Sequence, residues 1–234
     1  MKEFFLDFGA VLLYFIIAAT SAILVKLFTK VPHEVFRKLL HCILLGSLLI
    51  WTLVFDVWWK ALLSVVLFVL PVYPVLHFAE DRIKAYSSVL EERKKGELKN
   101  SLLVVFLMFA IVLSICWGWL GDKLLTLASV YAWGFGDAAA ALIGKQYGKH
   151  KIGSSKKSWE GTLSMFLVSF LCVAAILLYR GGLSWFHCLW IAAVTAVASA
   201  AAEFYTKNGL DTFTCPVAAM IVLLPLVHWM GGGI

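Results

Sequence analysis

Long apolar runs alternate with short polar segments along all 234 residues of the chain. Each run approaches the roughly 20 apolar residues that an α-helix needs to cross a lipid bilayer. The pattern therefore predicts an all-α polytopic membrane protein, a bundle of about eight transmembrane helices. Their expected ranges are 4–28, 39–55, 57–79, 100–120, 124–144, 161–179, 183–202 and 212–230.

Prolines lie inside two of these runs. Pro71 and Pro74 fall in the third run, and Pro216 and Pro225 fall in the last. Neighbouring helices of a membrane bundle can satisfy the carbonyl groups that a proline leaves without a donor. We therefore expect these prolines to kink their helices rather than end them.

The composition excludes an ordinary soluble protein. Hydrophobic residues make up 62% of the chain and charged residues only 15%, with a mean hydropathy of +0.91. Soluble domains carry far more charge. Because apolar runs recur along the whole length, we expect residues 1–234 to form a single integral membrane domain, not a soluble core with an anchor.

The basic residues are strongly biased to one side of the predicted bundle. Sixteen of the 20 lysines and arginines lie in the alternate connections 26–38, 80–99, 145–160 and 203–211. The positive-inside rule makes this side cytoplasmic, so both termini are expected outside. The net charge of +6 then favours anionic lipid headgroups or a nucleotide as partners, and not nucleic acid.

Asp137 lies inside an apolar run, where a carboxylate is costly. A charge at the centre of a spanning helix costs roughly 2.5–3.5 kcal/mol on insertion scales, and Asp137 lies about two turns from the predicted end. Its neighbours Gly134, Ala138 and Ala140 are small, which leaves room beside the carboxylate for a ligand or an ion. Intramembrane acids usually mark a functional site, so we expect one here.

The polar segment after this run is rich in lysine and glycine. The P-loop pattern is absent, because Ser154 follows Gly153 where a lysine is required. Two interpretations stay open, a loop that binds phosphate and an ordinary basic loop on the cytoplasmic side. Its lysines are Lys145, Lys149, Lys151, Lys156 and Lys157.

Charged residues also cluster in other predicted cytoplasmic segments. Glu203 and Asp211 lie on either side of Asn208-Gly209, a turn signal that would bring both carboxylates toward Asp137. Carboxylates bind Mg²⁺, Mg²⁺ bridges phosphates, and basic side chains hold the remaining charge. The pattern thus predicts a polyphosphate site at the cytoplasmic membrane surface. The other candidates for it are Arg37, Lys38, His41, Lys95 and Glu97.

These motifs together resemble the CTP-dependent lipid-alcohol kinases, namely dolichol kinase, phytol kinase and the CTP-using diacylglycerol kinase, which are relatives of the CDP-diacylglycerol synthases. The resemblance covers residues 36–217. It rests on Arg37-Lys38-x-x-His41, Lys95-Gly96-Glu97-Leu98, Gly136-Asp137-Ala138-Ala139-Ala140 with Gly144 and Gly148, Lys156-Lys157-Ser158-x-Glu160-Gly161, and Glu203 followed by Asp211 and Pro216.

Two details separate this chain from parts of that group. The block from Asp137 to Gly161 is shared with the synthases, but the chain lacks their His-Gly-Gly signature. The blocks at Arg37 and Glu203 are of the kinase type. One position departs from the kinases, which usually carry Asp-Asn where this chain has Asp211-Thr212.

The resemblance implies a catalytic membrane domain that transfers the γ-phosphoryl group of CTP to the hydroxyl of a membrane lipid alcohol. It implies Mg²⁺ as cofactor, with Asp137, Glu203 and Asp211 as the catalytic and metal-binding residues. Partners would be CTP, the lipid alcohol and membrane lipids; in a bacterium the location would be the cell membrane. The residues expected to bind the nucleotide are Arg37, Lys38, His41, Lys95, Glu97, Lys145, Lys156, Lys157 and Glu160.

Two alternative functions remain at this point. A phosphatidate cytidylyltransferase would use the same CTP site, attack the α-phosphorus and release pyrophosphate. A transporter would also place charges in a bundle, but transporters usually bind near the bilayer midplane, whereas these charges crowd one surface. The sequence leaves open which lipid alcohol is used, which carboxylate acts as base, and the oligomeric state.

Overall fold

The computed structural model describes residues 2–82, 96–153, 157–206 and 210–231. Within these residues eight helices are long and apolar enough to cross a membrane, with the fourth extended by the π-helical turn Ser114–Trp119. The predicted all-α polytopic class is confirmed. The helices are α1 (Lys2–Phe28), α2 (His33–Val54), α3 (Trp58–Arg82), α4 (Glu97–Leu113), α5 (Lys123–Gln146), α6 (Trp159–Arg180), α7 (Trp185–Tyr205) and α8 (Asp211–Trp229).

Several helices begin earlier than the hydropathy pattern predicts. The runs expected from residues 39 and 100 start at His33 and Glu97. Charged residues such as glutamate, arginine and lysine form helices readily but lower the local hydropathy, so an apolar window misses these first turns. The four prolines do not end their helices, as expected, since all of them lie inside α3 or α8; the expected kinks stay a prediction.

The chain divides into two compact units, unit 1 (Met1–Ala110) and unit 2 (Ile111–Ile234). Unit 1 holds α1, α2, α3 and most of α4. Unit 2 holds the π-helical turn and α5 to α8. The single catalytic domain expected from the sequence stays a prediction.

An aromatic cluster forms the core of unit 1. Phe15 of α1 stacks on Phe68 of α3, with ring centroids 4.2 Å apart, and Trp51 of α2 meets Phe106 of α4 edge to face at 5.5 Å. The Trp51 indole N–H donates to Ser64 Oγ at 2.7 Å, which satisfies a polar group that is fully buried. Four helices are therefore joined by one set of rings.

Small residues allow α5 and α6 to pack closely in unit 2. A Cβ atom on Gly136 would lie 2.4 Å from Ser169 Oγ, and one on Gly161 would lie 3.0 Å from the Ala140 carbonyl oxygen. Gly136, Ala140 and Gly144 repeat every fourth residue, so they share one face of α5. This contact fixes the position of Asp137 relative to the start of α6.

Candidate active site

Unit 2 brings together the three carboxylates that the sequence singled out. Asp137 lies in the second half of α5, Glu203 in the last turn of α7, and Asp211 at the start of α8. Asp137 and Asp211 both lie within electrostatic range of the Glu203 carboxylate. All three carboxylates also lie within electrostatic range of the Cys215 thiol, one turn into α8. The end of unit 2 where α7 stops and α8 begins is therefore strongly acidic.

This acidic end is not a preformed metal cage. Among the residues that the structure describes, no three His, Cys, Asp or Glu side chains are placed to hold one metal ion. The donor chemistry nevertheless suits Mg²⁺, which prefers carboxylate oxygens, keeps several waters and often uses only one or two carboxylates. Mg²⁺ at Asp137, Glu203 and Asp211 stays a prediction.

Lys157 is directed at the end of α7. Its ammonium group forms an ion pair with Glu203 Oε1 at 2.8 Å and donates to the Glu203 carbonyl oxygen. It also reaches the carbonyl oxygen of Thr206 at 3.4 Å. Carbonyl groups at a helix C-terminus lack intrahelical donors, and a cation there is favourable. Lys157 thus caps α7 and holds the Glu203 side chain, whereas its predicted contact with phosphate stays a prediction.

A hydroxyl pair joins the same end of α7 to α8. Thr206 Oγ1 and Thr214 Oγ1 lie 2.8 Å apart, across the segment that carries the predicted Asn208-Gly209 turn. Residues 207–209 lie outside the described residues. The pair shows that the end of α7 lies beside the first turn of α8, whereas the turn itself and its role in placing Glu203 and Asp211 stay predictions.

Glu160 accepts hydrogen bonds from the segment 147–158, which we call the lysine loop. Its carboxylate accepts the backbone N–H groups of Lys149 at 3.2 Å and His150 at 3.1 Å, and its Oε1 lies 2.7 Å from His150 Nδ1. The sequence predicted a nucleotide contact for Glu160, which stays a prediction. His150 was not predicted, although a histidine ten residues before a glutamate across a glycine-containing loop is a detectable signal.

The glycines that border this loop serve packing. A Cβ atom on Gly148 would lie 2.1 Å from the Gly144 carbonyl oxygen and 2.5 Å from Ser158 Oγ, while Gly161 faces Gly144. Ser158 itself caps α6, accepting the Gly161 N–H at 3.2 Å. Gly144 and Gly148 therefore bring the two ends of the loop together. Lys145 lies in the last turn of α5, and Lys156 lies outside the described residues.

Unit 1 carries a second charged cluster. Arg37 of α2 forms ion pairs with Glu34 at 3.2 Å and with Glu97, in the first turn of α4, at 3.1 Å. Lys38 and His41 are half-buried on the same helix. Two predicted site residues, Arg37 and Glu97, are thus neighbours although 60 positions separate them. Lys95 lies outside the described residues.

Unit 1 also contains a buried ion pair that sequence reasoning missed. The Glu80 side chain of α3 is only 1% exposed and pairs with Lys99 of α4, whose Nζ also lies 2.9 Å from His77 Nδ1. Glu80 lies at the edge of the predicted basic connection 80–99, where an acidic residue is typical of a solvent-exposed segment. Its signal was helical spacing, because His77 and Glu80 are three residues apart and share a face of α3.

The structure thus defines an all-α membrane protein with an acidic cluster and a lysine in unit 2. No protein-family model matches the chain, and no solved structure gives a significant match. It is 39% identical over 105 residues to the phytol kinase of Synechocystis sp., covering 44% of each chain. It is 29% identical over 143 residues to a probable chloroplastic phytol kinase of Triticum aestivum, covering 58% of this chain and 47% of that protein.

A third relative extends the comparison to a different lipid alcohol. The dolichol kinase of Homo sapiens is 29% identical over 150 residues, which cover 59% of this chain and 27% of that protein. The chain thus spans less than half the length of each of these three relatives. The resemblance to lipid-alcohol kinases that the motifs predicted is confirmed, and the chain is homologous to these kinases over the matched regions.

Proposed function

We propose that the protein transfers the γ-phosphoryl group of CTP to the hydroxyl of a membrane lipid alcohol. One observation carries the proposal. Glu203 pairs with Lys157 and lies within electrostatic range of Asp137 and Asp211 at one end of a helical membrane unit, in a chain homologous to proteins named phytol kinase and dolichol kinase. Phosphoryl transfer requires mainly positioning and charge neutralisation, which such a cluster supplies.

The proposed step balances as follows. The lipid hydroxyl oxygen forms a bond to the γ-phosphorus, the bond from that phosphorus to the β-phosphate oxygen breaks, and CDP leaves. The hydroxyl proton passes to a carboxylate, Glu203 or Asp211. Mg²⁺, held by Asp137 with one of these acids, would offset the charge on the transferred group.

The basic residues of unit 2 would hold the nucleotide. We assign phosphate contacts to Lys156 and Lys157 and a nucleotide contact to Lys145. The roles expected from the sequence for Arg37, Lys38, His41, Lys95, Glu97 and Glu160 stay predictions. CTP as the donor rests on the family resemblance. Because Lys157 is held against Glu203, a phosphate bound to it would lie beside the acidic cluster, where Mg²⁺ held by these acids would supply the positive charge that offsets both.

The lipid substrate is proposed to be an isoprenoid alcohol. Phytol and dolichol, which give the relatives their names, are both isoprenoids with a primary hydroxyl. A hydroxyl at the end of an apolar chain suits a site at the end of a membrane-spanning helix bundle, because the tail stays in lipid. Phytol-like alcohols and polyprenols come before diacylglycerol as substrates to test.

A positional label decides between the proposed reaction and its main alternative. Purified protein in phospholipid nanodiscs receives Mg²⁺, phytol or a polyprenol, and CTP labelled at either the γ or the α phosphorus. We expect label in the lipid from γ-labelled CTP only, with CDP as the second product. Label from the α position, with phosphatidic acid as acceptor and pyrophosphate released, would show a cytidylyltransferase instead.

Three further arms complete this experiment, one with phosphatidic acid as the acceptor, one with ATP as the donor and one without Mg²⁺. The same reaction with γ-labelled ATP tests the donor, and we expect CTP to be preferred. Omission of Mg²⁺ with a chelator should abolish transfer. No transfer from either nucleotide to any alcohol, in protein that remains folded, would contradict enzymatic phosphoryl transfer and favour a transporter.

A further inference from the structure

The two described arms of the lysine loop, residues 147–153 and 157–158, are joined by backbone contacts. The Ile152 N–H donates to the Lys157 carbonyl at 3.1 Å, and the Trp159 N–H donates to the His150 carbonyl at 3.0 Å. Lys151 and Ser158 form an isolated antiparallel bridge. The two arms therefore run side by side like a short hairpin, and the first residues of α6 follow directly.

Glu160 ties this hairpin to α6 through several donors at once. Its Oε1 accepts the N–H groups of Lys149 and His150 and lies 2.7 Å from His150 Nδ1, and its Oε2 lies 3.3 Å from the His150 N–H. Hydrogen bonds to a carboxylate are about twice as strong as neutral ones. A Glu160 that bound a metal or the nucleotide through Oε1 would have to give up some of these contacts.

The lysines lie on both sides of this attachment. Lys149 and Lys151 are exposed on the arm that Glu160 holds, and Lys157 on the other arm is bound to Glu203. Holding the first arm therefore fixes two exposed lysines relative to a third lysine and to the acidic cluster. A loop fixed in this way binds an anionic ligand without first losing conformational freedom.

We propose that His150 and Glu160 form a clasp that positions the lysine loop for the nucleotide, and that Glu160 is a positioning residue and not a ligand. The proposal rests on the proposed function for its ligand, whereas the clasp itself concerns only the loop. His150 is not among the site residues expected from the sequence. It donates from Nδ1 and from its backbone N–H to the same carboxylate, so it is the natural partner of Glu160.

Limited trypsin digestion tests the clasp without any activity. Trypsin cuts after lysine, and Lys149 and Lys151 lie on the held arm. We expect His150→Ala and Glu160→Ala to speed cleavage at these lysines about tenfold in folded protein, the scale of one hydrogen bond to a charged group. His150→Asn keeps an N–H near the Nδ1 position and should restore protection. His228→Ala, an exposed histidine on α8, serves as the matched control.

Nucleotide kinetics test the positioning role. His150→Ala and Glu160→Ala should raise the KM for CTP by about three- to tenfold, with kcat and the Mg²⁺ requirement unchanged. The reason is that a loop no longer held by the clasp loses more conformational entropy when the nucleotide binds. The double variant should have the same KM as Glu160→Ala, because the side-chain contact that His150→Ala removes is already lost when Glu160 is replaced.

The opposite pattern would overturn the clasp. If Glu160→Ala alone alters the Mg²⁺ dependence or kcat, and His150→Ala matches wild type in both trypsin protection and kinetics, then Glu160 is a direct ligand. If wild-type protein shows no transfer at all, the proposed function fails, but the trypsin comparison still decides whether His150 and Glu160 hold the loop.

Discussion

At the residue scale, charged side chains predicted for the site form ion pairs and hydrogen bonds within their own unit. Lys157 pairs with Glu203, Arg37 pairs with Glu97, and Glu160 holds the lysine loop. Charges at or near a membrane are costly unless they have partners. Each of these contacts therefore holds a charged side chain in place.

Lys157 gives the sharpest test of this view. We expect Lys157→Ala to lower the free energy of unfolding by about 1–2 kcal/mol, because the Glu203 carboxylate and the last carbonyls of α7 lose a charged donor. The turnover rate should fall together with stability, since Glu203 is no longer held. Thermal unfolding in detergent and kcat measurements check this.

Lys149→Ala is the matched control, because Lys149 is an exposed lysine of the same loop. It should leave stability unchanged. A Lys157→Ala variant that shows only a higher KM for CTP, with wild-type stability and kcat, would identify Lys157 as a phosphate ligand alone.

The sequence identifies the charged residues but not their pairing. Asp137, Glu203 and Asp211 are visible because acids beside apolar runs are rare. The contacts of Arg37 with Glu97 and of Lys157 with Glu203 span 60 and 46 positions, and no local rule predicts them. His150 and Glu80 gave only local signals of spacing, and these did not reveal the contacts with Glu160 and Lys99.

At the element scale, the close contact of α5 and α6 determines where the site lies. Gly136→Ala should destabilise the protein by about 1–3 kcal/mol, because the added methyl group overlaps Ser169 Oγ and Met165. Gly9→Ala is the matched control, since nothing lies within 4 Å of the added Cβ in α1. Thermal unfolding of both variants tests this packing. Wild-type stability of Gly136→Ala would contradict it.

Two buried hydroxyls of α7 lie on the same helix face as Glu203. Thr195 and Ser199 are 0% exposed, have no hydrogen-bond partner among the described residues, and precede Glu203 at intervals of four. A buried hydroxyl without a partner destabilises, so Thr195→Val should leave the melting temperature unchanged or raise it. Thr52→Val, which removes a hydroxyl bonded to the Leu49 carbonyl, should lower it. A clear loss of stability in Thr195→Val would contradict this account of the hydroxyl.

At the scale of the whole molecule, the helices were predictable because bilayer thickness fixes the length of an apolar run. The ends of the helices were less predictable, because Glu34, Arg37 and Lys38 form the first two turns of α2 although their polarity is typical of a loop. The division into two units has no counterpart in the hydropathy pattern, because long apolar runs occur in both units. Whether the charged residues of the two units act on one ligand stays a prediction.

The membrane orientation is testable from the described loops. Lys151→Cys and Gly182→Cys introduce single reporters at the two ends of α6, in a background without other cysteines. The basic bias predicts that an impermeant thiol reagent labels position 182 in intact cells and position 151 only after permeabilisation. Labelling of position 151 from outside would reverse the orientation.

The central claim is that the acidic end of unit 2 performs phosphoryl transfer, and Asp137 tests it most directly. Transfer from γ-labelled CTP to phytol is measured for wild type, for Asp137→Asn and for Asp56→Asn, an exposed acid after α2. Asp137→Asn keeps the shape and removes the charge, so we predict a loss of at least about a hundredfold, with normal folding and no effect of Asp56→Asn. Near-wild-type transfer by Asp137→Asn at saturating Mg²⁺ would contradict the account.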